Sequence, residues 1–179
     1  MSDEGRELLE RARSGDLDAF ADFVRHFERR VRTILFRILD DVRDVEEATQ
    51  DTFVQAWRNL ERFRGDAAPF TWLYRIATNQ ALQRRRRARF ETVELADEHA
   101  PHDDPALAAG ELRALLVEEI RALPFEYRTA LVLRDVEGLS NEEVAAALEI
   151  SLAAAKSRVH RARMALRARL EQTQGTPEE

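Results

Sequence analysis

The chain has 179 residues, of which 44% are hydrophobic and 35% charged, and a formal net charge of −6. That is enough chain for one ordinary domain or two small ones, and the balance suits packed helices with charged outer faces rather than a disordered chain. The absence of cysteine excludes a disulfide framework and a thiolate metal site, and it fits a reducing compartment. The longest apolar stretches fall short of a membrane span. Met1-Ser2-Asp3-Glu4 lacks the basic and apolar regions of a signal peptide, so a cytoplasmic protein with no membrane segment of its own is expected.

A net negative charge argues against a polyanion as partner, but the charge is unevenly spread. Ala67 to Phe90 carries six Arg and no acid, and Ser151 to Leu170 carries six Lys or Arg plus His160 and again no acid. Glu91 to Glu111, between them, holds seven acids and no Lys or Arg. Two basic surfaces separated by an acidic connector can bind phosphate locally, whatever the total; solvated helix faces are the plainer alternative.

In chain order the predicted elements are helical. Six Gly and five Pro are few, and no run alternates apolar and polar residues as a half-buried strand would. Leu8 to Arg13 predicts a short helix stopped near Ser14-Gly15. Leu17 to Leu39 predicts a second, with Phe20, Phe23, Val24, Phe27, Val31, Leu35 and Ile38 on one stripe. Val42 to Phe63 predicts a third, with Val45, Thr49, Phe53, Ala56, Leu60 and Phe63 inward. Arg64 to Ala68 is a loop, and Pro69 suits the first turn of a fourth helix running to about Arg89.

Ala96 to Pro105, with two Pro, two His and four acids and no periodicity, reads as a linker. Helical pattern returns from about Leu107 to Leu123, breaks at Pro124, continues to about Val136 and ends at Gly138. The expected fold class is all-α: two small helical domains, 1–92 and 108–171, joined by a flexible acidic linker, 93–107. A frayed polar tail, 172–179, follows.

Ser140-Asn141-Glu142-Glu143 has the pattern of a capping box, and Val144, Ala145 and Leu148 form the inner face of a short helix behind it. Glu149-Ile150-Ser151 turns the chain, and Ser151 is placed to cap a longer helix. Two helices around a tight turn are a helix-turn-helix, whose second helix enters the major groove. Projected at about 100° per residue, Leu152, Ala155, Val159, Ala162, Leu166 and Leu170 point inward. Ala153, Lys156, Ser157, His160, Arg161 and Met164 point away, and Arg158 sits beside the inner stripe. Small residues allow close approach, while Lys, Ser and Arg bond phosphates or base edges.

Leu139-Ser140-Asn141-Glu142-Glu143-Val144-Ala145 through Lys156-Ser157-Arg158-Val159-His160-Arg161-Ala162-Arg163, preceded by Leu123-Pro124 and Tyr127-Arg128, resembles the fourth domain of extracytoplasmic-function (ECF) sigma factors of bacterial RNA polymerase. Asp44 to Phe63, Phe63-Arg64-Gly65-Asp66 and Thr71-Trp72-Leu73-Tyr74-Arg75-Ile76-Ala77-Thr78-Asn79 resemble the same family's second domain. The resemblance spans nearly the whole chain, in the family's order. It implies that the second domain docks on the clamp helices of core RNA polymerase and reads and opens the −10 element as single-stranded DNA. The fourth domain would read the double-stranded −35 element, and an anti-sigma factor is a further expected partner. No cofactor, metal or catalytic group is expected.

The residues that the resemblance assigns fit these roles physically. Asp44, Glu47, Gln50, Asp51 and Phe53, on or beside the exposed flank of the third helix, offer an acidic face with one aromatic for a basic coiled coil. Phe63, Arg64, Asp66, Trp72, Arg75, Asn79, Gln83 and Arg86 would form the strand-capturing site: Phe63, Trp72 and Asn79 supply apolar walls and an amide for an extruded base, and Arg75 with Arg84 to Arg87 attracts phosphates. Ser151, Ala153, Ala154, Lys156, Ser157, Arg158, His160 and Arg161 would meet the −35 duplex. The alternatives are a solvated acidic face on the third helix and a purely structural Phe63 and Trp72.

Three features depart from the family pattern. Ala153-Ala154-Ala155 replaces Gly-Thr-Val, Gln83 replaces a frequent Asp, and Glu149 stands where many members have Gly, which costs about 1 kcal/mol if the residue is left-handed. The acidic linker could mimic nucleic-acid charge in a channel of the polymerase. Two rivals leave more unexplained. A plain helix-turn-helix regulator gives no purpose to Asp44–Phe63 and the loop after it. An enzyme would need more than scattered His26, His99, His102 and His160 without Cys, phosphate loop or metal spacing.

Overall fold

The computed structural model describes residues 3–65, 67–91 and 110–174, and every regular element among them is helical. The chain divides into two compact units, Met1–Leu95 and Ala96–Glu179. Asp66, the predicted linker 93–107 and residues 175–179 of the predicted tail lie outside the described residues.

The first unit holds α1 (Asp3–Arg13), α2 (Leu17–Ile38), α3 (Val42–Arg58) and α4 (Pro69–Glu91). Helix α2 is central and packs on the other three. Phe23, Phe27, Val31, Ile34, Leu35 and Ile38 are buried along it, as a 3.6-residue apolar stripe requires; Phe20 and Val24 are half-buried. Asp16 starts the helix by accepting from the Ala19 amide at 3.0 Å, and Asp41 starts α3 by accepting from the Arg43 amide at 2.6 Å. On the inner face of α3, Thr49 and Thr52 are buried with their hydroxyls donating to the carbonyls of Val45 (2.7 Å) and Ala48 (2.6 Å), so both buried hydroxyls are satisfied.

Two boundaries differ from expectation. Helix α1 begins at Asp3 rather than Leu8: Gly5 is buried against α2, where a Cβ would come within 3.0 Å of the Phe27 ring, so glycine permits the close approach of the two helices. Helix α3 ends at Arg58 rather than Phe63. Asn59 leaves helical geometry (φ −107°, ψ 12°), its side chain donates to the Gln55 carbonyl at 2.8 Å, and a 3₁₀ turn, Leu60–Arg62, follows. Leu60 and Phe63 are buried as expected, but the backbone delivers them by a turn.

The second unit holds α5 (Glu111–Arg121), α6 (Phe125–Leu131), α7 (Asn141–Leu148) and α8 (Leu152–Gln174), with a π turn, Val132–Val136, extending α6. Helix α8 packs on α5, α6 and α7; Val117, Ile120, Leu131, Val132, Leu133, Val144, Leu148, Ala155, Val159 and Ala162 are buried. The break at Pro124 is closed by buried Arg128, whose Nη1 donates to the Arg121 carbonyl at 2.6 Å, satisfying a helix-end acceptor. Helix α5 begins at Glu111, after Gly110 at φ 102°; residues 107–109, where the helical pattern is expected to return, lie outside the described residues. Helix α8 continues to Gln174, into the segment expected to fray, because Arg169 Nε and the Thr173 hydroxyl both bond Glu119 of α5, at 2.6 and 3.0 Å. Leu152, expected inward, is 38% exposed; the buried stripe of α8 starts one turn later, at Ala155.

Candidate nucleic-acid interface

The turn between α7 and α8 is held at both ends. Ser140 Oγ accepts from the Glu143 amide at 3.1 Å and Glu143 Oε2 accepts from the Ser140 amide at 2.8 Å, a complete capping box. At the other end Glu149 adopts φ 54°, ψ 43°, and the amides of Glu149 and Ile150 both donate to the Ala145 carbonyl. Glu149 is the one non-glycine residue with positive φ among those described, at a conformational cost of about 1–2 kcal/mol. Glu149→Gly is therefore expected to stabilise the unit by about 0.5–1 kcal/mol, after the greater unfolded-state freedom of Gly is subtracted. Urea unfolding checks this; a lower midpoint would mean that the Glu149 side chain repays its strain elsewhere.

Ser151 Oγ caps α8 by accepting from the Ala154 amide at 3.2 Å. The cations of α8 then fall into two sets. Arg158 lies 3.5 Å from Glu126, Arg163 holds Asp135 through two bonds of 2.8 and 2.5 Å, Arg167 pairs with Glu171 at 2.8 Å, and Arg169 pairs with Glu119 at 2.6 Å. The Asp135 hydrogen bonds raise the Arg163 pKa. Lys156, Ser157, His160 and Arg161 are exposed and have no hydrogen-bond or ion-pair partner among the described residues. Ala153 is exposed and Ala154 half-buried, beside them. The face that helical projection points outward is thus the face with unspent donors.

In the first unit, Trp72, Arg75, Asn79, Gln83 and Arg86 recur at i+3 and i+4 and form one ridge of α4. Trp72 is half-buried, its ring centroid 5.1 Å from that of Phe63. Phe63 itself is buried (4% exposed), in keeping with its inward place, and it lies beneath Trp72 as a floor to that ring rather than as an exposed surface. The loop after it is tied down by Arg13 Nη1, which donates to the Phe63 carbonyl at 3.3 Å, and it turns at Gly65 with φ +78°, a conformation that suits glycine. Arg64, Arg75 and Arg86 are exposed. Asn79 and Gln83 line a groove of about 380 Å³ between α3 and α4, whose walls also include Gln55, Asn59, Gln80 and Arg87.

On α3, Gln50 is exposed, while Asp44, Glu47 and Asp51 all contact Arg84 of α4. Arg84, expected among the phosphate-attracting arginines, is instead used inside the unit. Burial works against its charge, but the hydrogen bonds to Glu47 and Asp51 outweigh it and raise its pKa. Phe53, placed on the docking flank, is buried at 8% exposure. One residue on, Val54 and Trp57 point out (46% and 41% exposed) and, with Leu17, Phe20 and Phe53, line a shallow apolar cavity of about 320 Å³.

Residues 23–91 match the Sigma-70 region 2 family and residues 113–166 match Sigma-70, region 4. The chain is 34% identical over 178 residues to the RNA polymerase sigma-H factor of Pseudomonas aeruginosa, with 92% of each chain covered. It is 33% identical over 173 residues to the ECF RNA polymerase sigma-E factor of Escherichia coli strain K12, covering 89% of this chain and 90% of that one. The chain belongs to the ECF sigma factor family. As a sigma factor it directs promoter-specific initiation of transcription by RNA polymerase. The solved structure of CnrH in complex with the cytosolic domain of CnrY is similar, at 29% identity and a TM-score of 0.67, over 95% of this chain and 99% of that one. RpoE of Bartonella quintana, in complex with the anti-sigma factor NepR, matches in fold at 24% identity with a TM-score of 0.73, over 87% and 98%.

Helical periodicity alone contained the signal for Val54 and Trp57 of this sigma factor: both fall off the inner stripe Val45, Thr49, Phe53, Ala56 and are large and apolar. Gln55, Asn59 and Gln80 carried no such signal, since a polar residue on a helix is ordinarily solvated; their convergence needs the packing of α3 on α4.

Proposed function

We propose that this sigma factor reads the −35 duplex with the first half of α8, captures the unpaired −10 strand along the α4 ridge, and docks on core polymerase through the outer flank of α3. The observation that carries the reading is the division of cations on α8. A helix that merely coated the unit would have no reason to leave Lys156 and Arg161 unpaired beside Ser157 and His160 while its other cations are matched to acids. Ser151, Ala153 and Ala154 flank that face, and Arg158, steered by Glu126, is assigned to a phosphate at its edge. On α4, Trp72 and Asn79 supply a stacking surface and an amide for an extruded base, with Phe63 beneath, Gln83 along the groove and Arg64, Arg75 and Arg86 for phosphates. Asp66 completes this loop by resemblance.

The docking flank combines Glu47 and Gln50 with Val54 and Trp57, with Asp44 and Asp51 behind them. An apolar centre with a polar rim is the usual anatomy of a binding hot spot. The double variant V54D/W57A is expected to lower affinity for core polymerase about 10- to 100-fold. Competition against a labelled sigma factor measures it, and unchanged affinity in a folded variant would remove this flank from the interface. The protein contributes no catalytic group of its own and works where bacterial polymerase works, in the cytoplasm. RpoE of Bartonella quintana was solved with an anti-sigma factor, which supports a partner of that kind here.

Footprinting of the reconstituted holoenzyme on the DNA upstream of its own gene tests the two-part reading. Two separated protected segments are expected; a single protected segment, or none, would overturn it.

A further inference from the structure

Arg84 differs from the other arginines of α4. Its side chain is 13% exposed, with Nη1 2.7 Å from Glu47 Oε2 and 3.4 Å from Asp44 Oδ1, and Nη2 2.6 Å from Asp51 Oδ2. Its Nε is buried with no hydrogen-bond partner. Both terminal nitrogens are thus committed to carboxylates, and little of the guanidinium is left for an outside ligand. The three acids sit at i, i+3 and i+7 of α3, one stripe of that helix. Asp51 and Arg84 also stand in the wall of the α3–α4 groove, next to Asn79, Gln83 and Arg87.

That groove would be hostile to a nucleic-acid strand if its acids were bare. Asp51 in its wall, and Glu47 and Asp44 behind it, would set like charges within a few ångströms of the strand's phosphates, inside the screening length of ordinary salt. Amide walls and Arg87, by contrast, suit base edges and phosphates. Arg86 and Arg87 are exposed and have no partner among the described residues.

We infer that Arg84 is a charge-masking residue: it gathers the carboxylates of α3 so that the unpaired −10 strand can lie along the α3–α4 groove, and it does not itself hold the strand. The inference rests on the reading of α4 as the strand-capturing helix. Arg84 acts through Asp44, Glu47 and Asp51 and is a positioning residue, so substituting it should matter only while those acids keep their charge.

The test is binding of a fluorescent single-stranded oligonucleotide carrying the non-template −10 sequence of the factor's own promoter. It is read by anisotropy on holoenzyme with core polymerase in saturating excess, so that altered docking does not enter. R84A is expected to lower affinity about tenfold, and R84A/E47Q/D51N to return it to within about threefold of wild type, with thermal melts confirming the fold of each. R84K, which keeps the charge but loses the fork, is expected to stay within about threefold of wild type and serves if R84A does not fold. Wild-type affinity in R84A, a tenfold loss in R84K, or a loss in R84A that neutralising the acids does not relieve would each overturn the mask. A structural clamp or a direct phosphate ligand would behave in that last way. If wild-type holoenzyme itself fails to hold the oligonucleotide, the strand-capture reading falls and the mask with it.

Discussion

K156A/R161A is expected to weaken binding to a −35 duplex by about 100- to 1,000-fold at moderate salt, with α8 still folded. Both side chains are exposed and unpartnered among the described residues, on the acid-free face that follows the Ser151 cap. Each is free to give its full charge to a phosphate or base edge, at about 1–3 kcal/mol per good contact. Two lost phosphate contacts would also flatten the dependence of log K on log salt by about 2. The control lies on the same helix. Arg167 already pairs with Glu171 at 2.8 Å, so R167A removes no charge that DNA was using and should cost less than about threefold. Equal losses from R167A and from the double variant would mean that general basicity, not the unpaired face, attracts the duplex. Titrations at three salt concentrations provide both numbers.

Asn79→Ala is expected to slow open-complex formation about 10- to 100-fold while leaving −35 duplex affinity within about twofold. The amide is half-buried on the α4 ridge, one turn past Arg75, and lines the groove with Gln83. Opening a duplex costs a few kcal/mol per unstacked step, and a base held by an amide and stacked on Trp72 offsets part of that cost. None of this bears on intact duplex, so permanganate reactivity of the −10 thymines should fall while a −35 mobility shift does not. A comparable loss on duplex DNA would contradict the division of labour between α4 and α8.

Much of this molecule is legible in its sequence where local rules decide. The Ser140–Glu143 capping box, the Ser151 cap and the buried stripe from Ala155 to Ala162 follow from spacing alone, and they place the reading face of α8. The family resemblance, which puts Gly at the turn, raises the question of a left-handed Glu149, and the backbone answers it with φ 54°. Legibility ends where tertiary packing takes over. Gln55, Asn59 and Gln80 meet in one groove wall only because α3 packs on α4. The end of α3 depends on Asn59 turning its side chain back to Gln55, which no propensity scale singles out. Arg84 lies in a run of four arginines that looks uniformly basic, and its partners are 33 to 40 residues earlier. Only the packing of α4 on α3 reveals that this arginine is spent on the acids of α3.

The most direct measurement is run-off transcription with purified core polymerase and a template carrying the factor's own upstream region. Addition of this sigma factor is expected to start a single specific transcript, which K156A/R161A and N79A each reduce at least tenfold. A folded protein that binds core polymerase yet starts no specific transcript would contradict the account.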